Sequence, residues 1–321
     1  MVTIDVEADS DKNWGTPKEL TFRSVLEAIP NRLQPLFAKY GVRPTYLVSP
    51  EVLRREDCCS ILRSLTHCEL GSHLHVEDIP PETVEVSPAN PRRGMQWECH
   101  PEIERQKLQN LTRLFTDTFG SAPRSFRAGR FGVGHHTGKF LMELGYRVDS
   151  SVTPNVCWKS HGGAPFPDFT DARELPYWVA ADGDLFNSGD STLLEVPLTI
   201  PLIRQVSRKK KYARFRARDK RPTWFRPWYT PMKDLQHIVR KVARSKPEAG
   251  MRRPLVMMFH SMEVVAGASP YPQSDAEVGD YLDVLKAVFD MTAELGIKCC
   301  TLSEYWQQYR GAAVQSKALY L

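Results

Sequence analysis

Val2-Thr3-Ile4-Asp5-Val6 reads as a short buried strand, and together with the next two elements it decides the fold. Phe22, Val25, Leu26, Ile29, Leu33, Leu36 and Phe37 recur at helical spacing until Gly41 stops the run. Pro44-Thr45-Tyr46-Leu47-Val48-Ser49 is then a second strand, so the first 49 residues spell strand, helix, strand. Pro30 lies inside the helix and is expected to kink or split it.

The same order repeats down the chain. Residues 69–73 form a strand with a polar tip, and 102–119 an amphipathic helix closed by Gly120. Strand-like 125–129, a helix over 137–144 and a short strand over 146–150 come next. Residues 80–96 and 155–186 read as irregular excursions, and 193–200 as a further strand. A helix near 232–245 precedes the apolar strand 254–259, which delivers His260. The helix 275–295 has Ser274 as its N-cap and Gly296 just past its end. Residues 298–301 read as a last strand. Alternation of this kind specifies α/β with a parallel sheet, closed or open, over a single domain spanning 1–321.

Composition restricts the function classes. Apolar residues at 41% and charged residues at 25% suit a globular chain, and 321 residues suit one α/β barrel. No run approaches 18 apolar residues, and the N-terminus lacks a basic stretch followed by an apolar one. With seven cysteines and no Cys-x-x-Cys spacing, reduced thiols and a cytoplasmic location are expected. The net charge of +5 is concentrated: Arg204 to Arg226 holds eleven Lys or Arg and one acid, Asp219. This basic-aromatic insertion, about 204–230, is expected either to be a solvated loop or to meet an anionic membrane surface or glycan, peripheral to the inner membrane. The acidic remainder makes nucleic acid an unexpected partner.

Chemistry-bearing residues gather where strands should end. Asp5 and Glu7 end the first strand, with Asp9 close behind. His73, His75 and Glu77 end the third, Arg127 and Arg130 the fourth, Asp149 the fifth, and His260 a late one. Carboxylates with imidazoles suit one divalent ion of the zinc class. A separate acid and a separate His then suit proton transfer. On a strand, His73 and His75 share a face and converge on one ion; if the segment turns helical, His73 and Glu77 converge instead. Adjacent His135 and His136 diverge and are read as structural.

Thr3-Ile4-Asp5-Val6-Glu7, Gly71-Ser72-His73-Leu74-His75, Phe126-Arg127-Ala128-Gly129-Arg130-Phe131, Val148-Asp149-Ser150-Ser151 and Met258-Phe259-His260-Ser261 occur in one order along the chain. In that order they resemble the five motifs of the polysaccharide deacetylases, carbohydrate esterases of the chitooligosaccharide-deacetylase type. The resemblance spans Thr3 to Trp306. It implies a distorted (β/α)7 barrel and a divalent metal, zinc, held by one acid and two His. It makes Asp5 the general base, Arg127 its orienting cation, Asp149 the fourth-motif acid and His260 the general acid. A carboxylate is expected to orient His260, and Asp149 is the candidate for it.

Two positions depart from the family pattern. Val6 stands where the metal-binding Asp belongs, which makes Glu7 the substitute and Asp9 a second candidate. Glu77 stands where the second metal His belongs, which brings in His75. Arg130 is a further metal-side or substrate candidate, and Glu263 and Tyr271 follow His260 in a loop that would line the site.

The implied reaction is hydrolysis of an N-acyl, normally N-acetyl, group on an amino sugar in surface-glycan assembly. Deacylation or deformylation of a lipid-linked amino sugar uses the same residues. A barrel that binds carbohydrate without turnover is the alternative from another class.

Overall fold

The computed structural model of the protein describes residues 1–15, 17, 19–81, 94–158, 167–204, 220–247 and 251–318, with side chains through 312. The basic stretch 205–219 and most of the excursion 80–96 lie outside the described residues.

Among the described residues ten strands are present: β1 (Val2–Val6), β2 (Thr45–Val48), β3 (Glu69–Leu74), β4 (Ser125–Ala128), β5 (Val148–Asp149), β6 (Tyr177–Trp178), β7 (Leu194–Glu195), β8 (Leu202–Arg204), β9 (Lys220–Pro222) and β10 (Met257–His260). Eight of them form one curled sheet in the order β10-β1-β2-β3-β4-β5-β7-β6, and β8-β9 form a separate hairpin. In the curled sheet seven strands, β10 through β7, run parallel, and β6 is antiparallel to its neighbour.

The ladder does not close, yet its two ends meet. Beyond β7 the Thr199 N–H donates to the Val256 carbonyl at 3.2 Å, and the Val256 N–H donates to Thr199 Oγ1 at 2.9 Å. The result is a distorted seven-stranded half-barrel with helices outside, as the motifs imply.

Both faces of β1 are buried, which is why the strand reads as continuously apolar apart from its inward residues. Ile4 and Val6 pack outward into the main core with Val25 and Ile29, each with essentially no exposure. Thr3 and Asp5 alternate to the other face, where they meet the buried Arg127. The barrel interior is therefore polar, and its ion pairs have to be mutually satisfied.

Two local expectations change. Pro30 does not break its helix: residues Ser24–Leu33 wind as a π-helix that runs directly into the α-helix Gln34–Tyr40. The wider turn accommodates the ring, and the Gln34 N–H reaches back to the Ile29 carbonyl. Residues 298–301 form no ladder, so the chain passes from Gly296 to the helix Leu302–Ala318 without a last strand.

Candidate active site

Parallel strands present their C-terminal ends on one side, and that side collects the chemistry. Asp5 lies on β1 with Glu7 just past its end, and His73 lies on β3 with His75 just past it. His260 ends β10. Register fixes their heights: Asp5 pairs with His260, and His73 with Arg127.

Three donor atoms converge. Glu7 Oε1 lies 3.0 Å from His73 Nε2 and 3.2 Å from His75 Nε2, and the two Nε2 atoms are 3.1 Å apart. His73 Nδ1 is 3.0 Å from the Arg127 carbonyl. A carbonyl only accepts, so Nδ1 donates to it, and a neutral His73 leaves its Nε2 lone pair bare toward Glu7 and His75. A backbone carbonyl that fixes the far nitrogen is the usual support of a metal-ligating imidazole. One carboxylate and two imidazoles with ligand atoms this close fit a divalent cation of the zinc class.

The electrostatics agree with that fit. Burial would raise the Glu7 carboxyl, but the charges of His75 and His260 and the hydrogen bonds to His73 and His75 hold it well below the usual range. Burial would lower His75, but Glu7 and then Glu77 lift it well above the usual imidazole value. Glu7 is thus held as a carboxylate, the form that would ligate a cation.

Asp5 is buried, and its Oδ1 accepts from Arg127 NH1 at 2.7 Å in a pair closed to solvent. Arg127 also donates to the Ser150 carbonyl at 2.7 Å, to Ser150 Oγ at 3.1 Å and to Thr3 Oγ1 at 2.8 Å. The fourth-motif stretch is therefore the socket of this guanidinium.

Asp149, the candidate partner of His260, is not brought to it. Its carboxylate accepts from Ser151 Oγ at 2.7 Å and from the Ser151 N–H at 3.2 Å, and it faces the buried Glu195. Burial raises both carboxyls, and proximity to Asp149 drives Glu195 well above the usual range. The carboxylate beside His260 is instead Glu263. Its Oε1 lies 2.8 Å from His260 Nδ1 and accepts from the His260 N–H at 3.0 Å, and its Oε2 accepts from Tyr281 at 3.0 Å.

Arg226, counted in the basic run, is buried here. It donates to Glu263 and has NH2 3.1 Å from His260 Nδ1. Burial would raise Glu263, but the Arg226 charge and the His260 hydrogen bonds hold it low. The His260-x-x-Glu263 spacing is visible in the sequence, whereas nothing in the spacing of the basic run marks Arg226.

The remaining candidates have other partners. Asp9 caps the first helix: its carboxylate accepts from Thr21 Oγ1 at 2.8 Å and from the N–H groups of Arg23 and Ser24 at 2.9 and 3.1 Å. Glu77 forms a two-point pair with Arg130 at 2.5 and 3.2 Å and lies 3.7 Å from His75 Nδ1, on the ring's far side from Glu7. Arg130 and Phe131 both hold left-handed backbone, with φ of 53° and 56°, a strained turn that re-aims both side chains.

A pocket of about 500 Å³ opens over this cluster. Asp5, Glu7, His73, His75 and His260 form its floor, and Trp14, Phe131, Trp158, Trp224, Tyr229 and Tyr271 supply its aromatic walls. Trp14 lies 4.8 Å from the His260 ring and 5.5 Å from Tyr271, centroid to centroid. A floor of carboxylates and imidazoles under aromatic walls suits a polyhydroxylated ring that stacks and forms hydrogen bonds.

No protein-family model matches the chain, and no curated protein matches it either. Among solved structures, a protein assigned provisionally as a polysaccharide deacetylase from Mycobacterium smegmatis is similar. It is 17% identical with a TM-score of 0.50, over 90% of this chain and 78% of that one. A GH57 branching enzyme from Thermococcus kodakaraensis is 12% identical, with a TM-score of 0.48 over 96% and 70%. A CE4-family pseudoenzyme from Bacillus anthracis is 11% identical, with a TM-score of 0.44 over 95% and 64%. At these identities the likeness is one of fold. The chain therefore resembles the Mycobacterium smegmatis structure in fold.

Proposed function

We propose that the protein is a metal-dependent hydrolase that removes an N-acyl group, normally N-acetyl, from an amino sugar. The observation that carries this reading is the convergence of Glu7, His73 and His75 beside the register-paired Asp5 and His260, in one pocket.

Glu7, His73 and His75 would hold a zinc-class ion, which would supply Lewis acidity toward the acyl carbonyl and the attacking water. Asp5 takes a proton from the attacking water, whose oxygen bonds to the acyl carbon. The C–N bond breaks, and the nitrogen takes a proton from His260 Nε2, giving a carboxylic acid and a free amine. Arg127 holds Asp5 through Oδ1. Glu263 holds His260 through Nδ1, so that Nε2 is the nitrogen facing Glu7, at 3.8 Å. Trp14 packs on the His260 ring, and Tyr271 packs edge-on against Trp14.

A surface-glycan intermediate as substrate, including a lipid-linked one met at a membrane through Arg204 to Tyr229, belongs to the same proposal. So does a cytoplasmic location. Among the described residues no helix is long and apolar enough to cross a membrane. The test is incubation with N-acetylglucosamine oligosaccharides, with acetate and free amine both quantified. Equal molar yields support the reading, and binding with neither product sinks it in favour of a sugar-binding barrel.

A further inference from the structure

We infer that Arg226 is a positioning residue for the acid half of the reaction, one that fixes Glu263 and through it the imidazole of His260. This inference rests on the hydrolase reading above. Glu263 is fully buried, and its Oε1 is shared by the His260 N–H, His260 Nδ1 and the Arg226 guanidinium. Without Arg226 that oxygen keeps only donors from His260 itself, and the carboxylate loses its one cationic partner among the described residues apart from His260.

The guanidinium is itself tightly placed. It lies 5.3 Å from the Tyr271 ring centroid and 5.9 Å from that of Tyr229. Its backbone is anchored by the Phe225 N–H to the Thr199 carbonyl at 2.8 Å, and by the Thr230 N–H to the Arg226 carbonyl at 3.2 Å. The hairpin of β8 and β9 thus ends by delivering one cation out of its basic run into the site. A buried ion pair of this precision is poor evidence for stability alone, because an apolar pair of equal volume often serves as well. A carboxylate fixed against Nδ1, by contrast, sets the ring so that Nε2 faces Glu7.

The experiment compares two leaving groups. An amide nitrogen must be protonated to leave, whereas p-nitrophenolate leaves without help, so p-nitrophenyl acetate bypasses His260. Arg226→Met is expected to lower kcat on N-acetylglucosamine oligosaccharide about 100-fold, the low end of general-acid catalysis, with KM within about twofold. Its rate on p-nitrophenyl acetate stays within about threefold of wild type and its metal content is unchanged. Arg226→Lys recovers part of the amide rate, since an ammonium restores the charge without the fork.

Equal losses on both substrates overturn the inference and assign Arg226 to stability, as does loss of fold in both the Met and Lys variants. A wild type that turns over neither substrate sinks the hydrolase reading instead. In that case the ¹⁵N shifts of His260 still decide: unchanged shifts in Arg226→Met contradict positioning, and a changed protonation pattern at Nδ1 supports it.

Discussion

Asp5 and His260 are register partners on adjacent parallel strands, so the proposed base and acid share one height in the sheet. The spacing is set by backbone hydrogen bonds rather than by loops, and a one-residue slip of either strand would turn that strand's side chain to the opposite face. Glu7, two residues beyond Asp5, is then carried to the mouth between them. There its Oε1 reaches His73, His75 and, at 3.8 Å, His260.

Breaking the Asp5–Arg127 pair should be costly, because the guanidinium is wholly buried and bonds Asp5, Thr3 and Ser150. Arg127→Met is expected to lose about 3–5 kcal/mol of stability, the usual penalty for stranding one buried charge. Asp5→Asn placed in the same chain should restore part of it. Urea denaturation of the single and double variants checks this, and a single variant as stable as wild type would refute it.

The Asp149–Glu195 pair makes stability depend on pH. Both carboxyls are raised in the folded state, Glu195 well above its usual value, chiefly by burial. A group raised on folding contributes stability that is present below its unfolded pKa and lost as pH climbs through the folded one. From about pH 4 upward, therefore, the wild type should lose stability that Glu195→Gln does not lose. The variant should be the more stable at pH 8, with the gap shrinking toward pH 4. Thermal melts across that range settle it: parallel curves would contradict a shared buried proton.

Trp14 should affect binding more than folding. The residue is 42% exposed, yet its ring packs on His260 and Tyr271. Trp14→Ala is expected to raise KM for an amino-sugar oligomer about tenfold, the worth of one aromatic stacking contact. Stability should stay within about 0.5 kcal/mol of wild type. An unchanged KM would show that the sugar does not use this wall.

Local periodicity and strand ends carry most of what is legible in the sequence. Val2–Val6, the apolar run before His260 and the capped helix Asp275–Glu294 each have their own signal, and polar residues stand out where those strands stop. His73 and His75 are legible because a period of two puts them on one face. Asp149 is not. It pairs with Phe126, one residue short of Arg127, and that single step turns its carboxylate to Glu195 instead of the pocket.

Arg226 is illegible for another reason. It is 34 residues before His260, and it belongs by composition to a basic run that reads as solvated surface. Pro30 misleads because the wide turn that absorbs it leaves no mark in the apolar spacing.

Whether Glu7, His73 and His75 hold a metal on which turnover depends can be measured on a single preparation. The protein is stripped with a chelator and zinc is added back, while bound metal and acetate released from N-acetylglucosamine oligosaccharide are followed together. About one ion per chain is expected, with acetate release rising in step; both are lost in His73→Ala and Glu7→Ala, but metal is retained in Glu77→Ala. Acetate release that is indifferent to zinc, or zinc bound equally well by His73→Ala, would contradict a catalytic metal at these three residues.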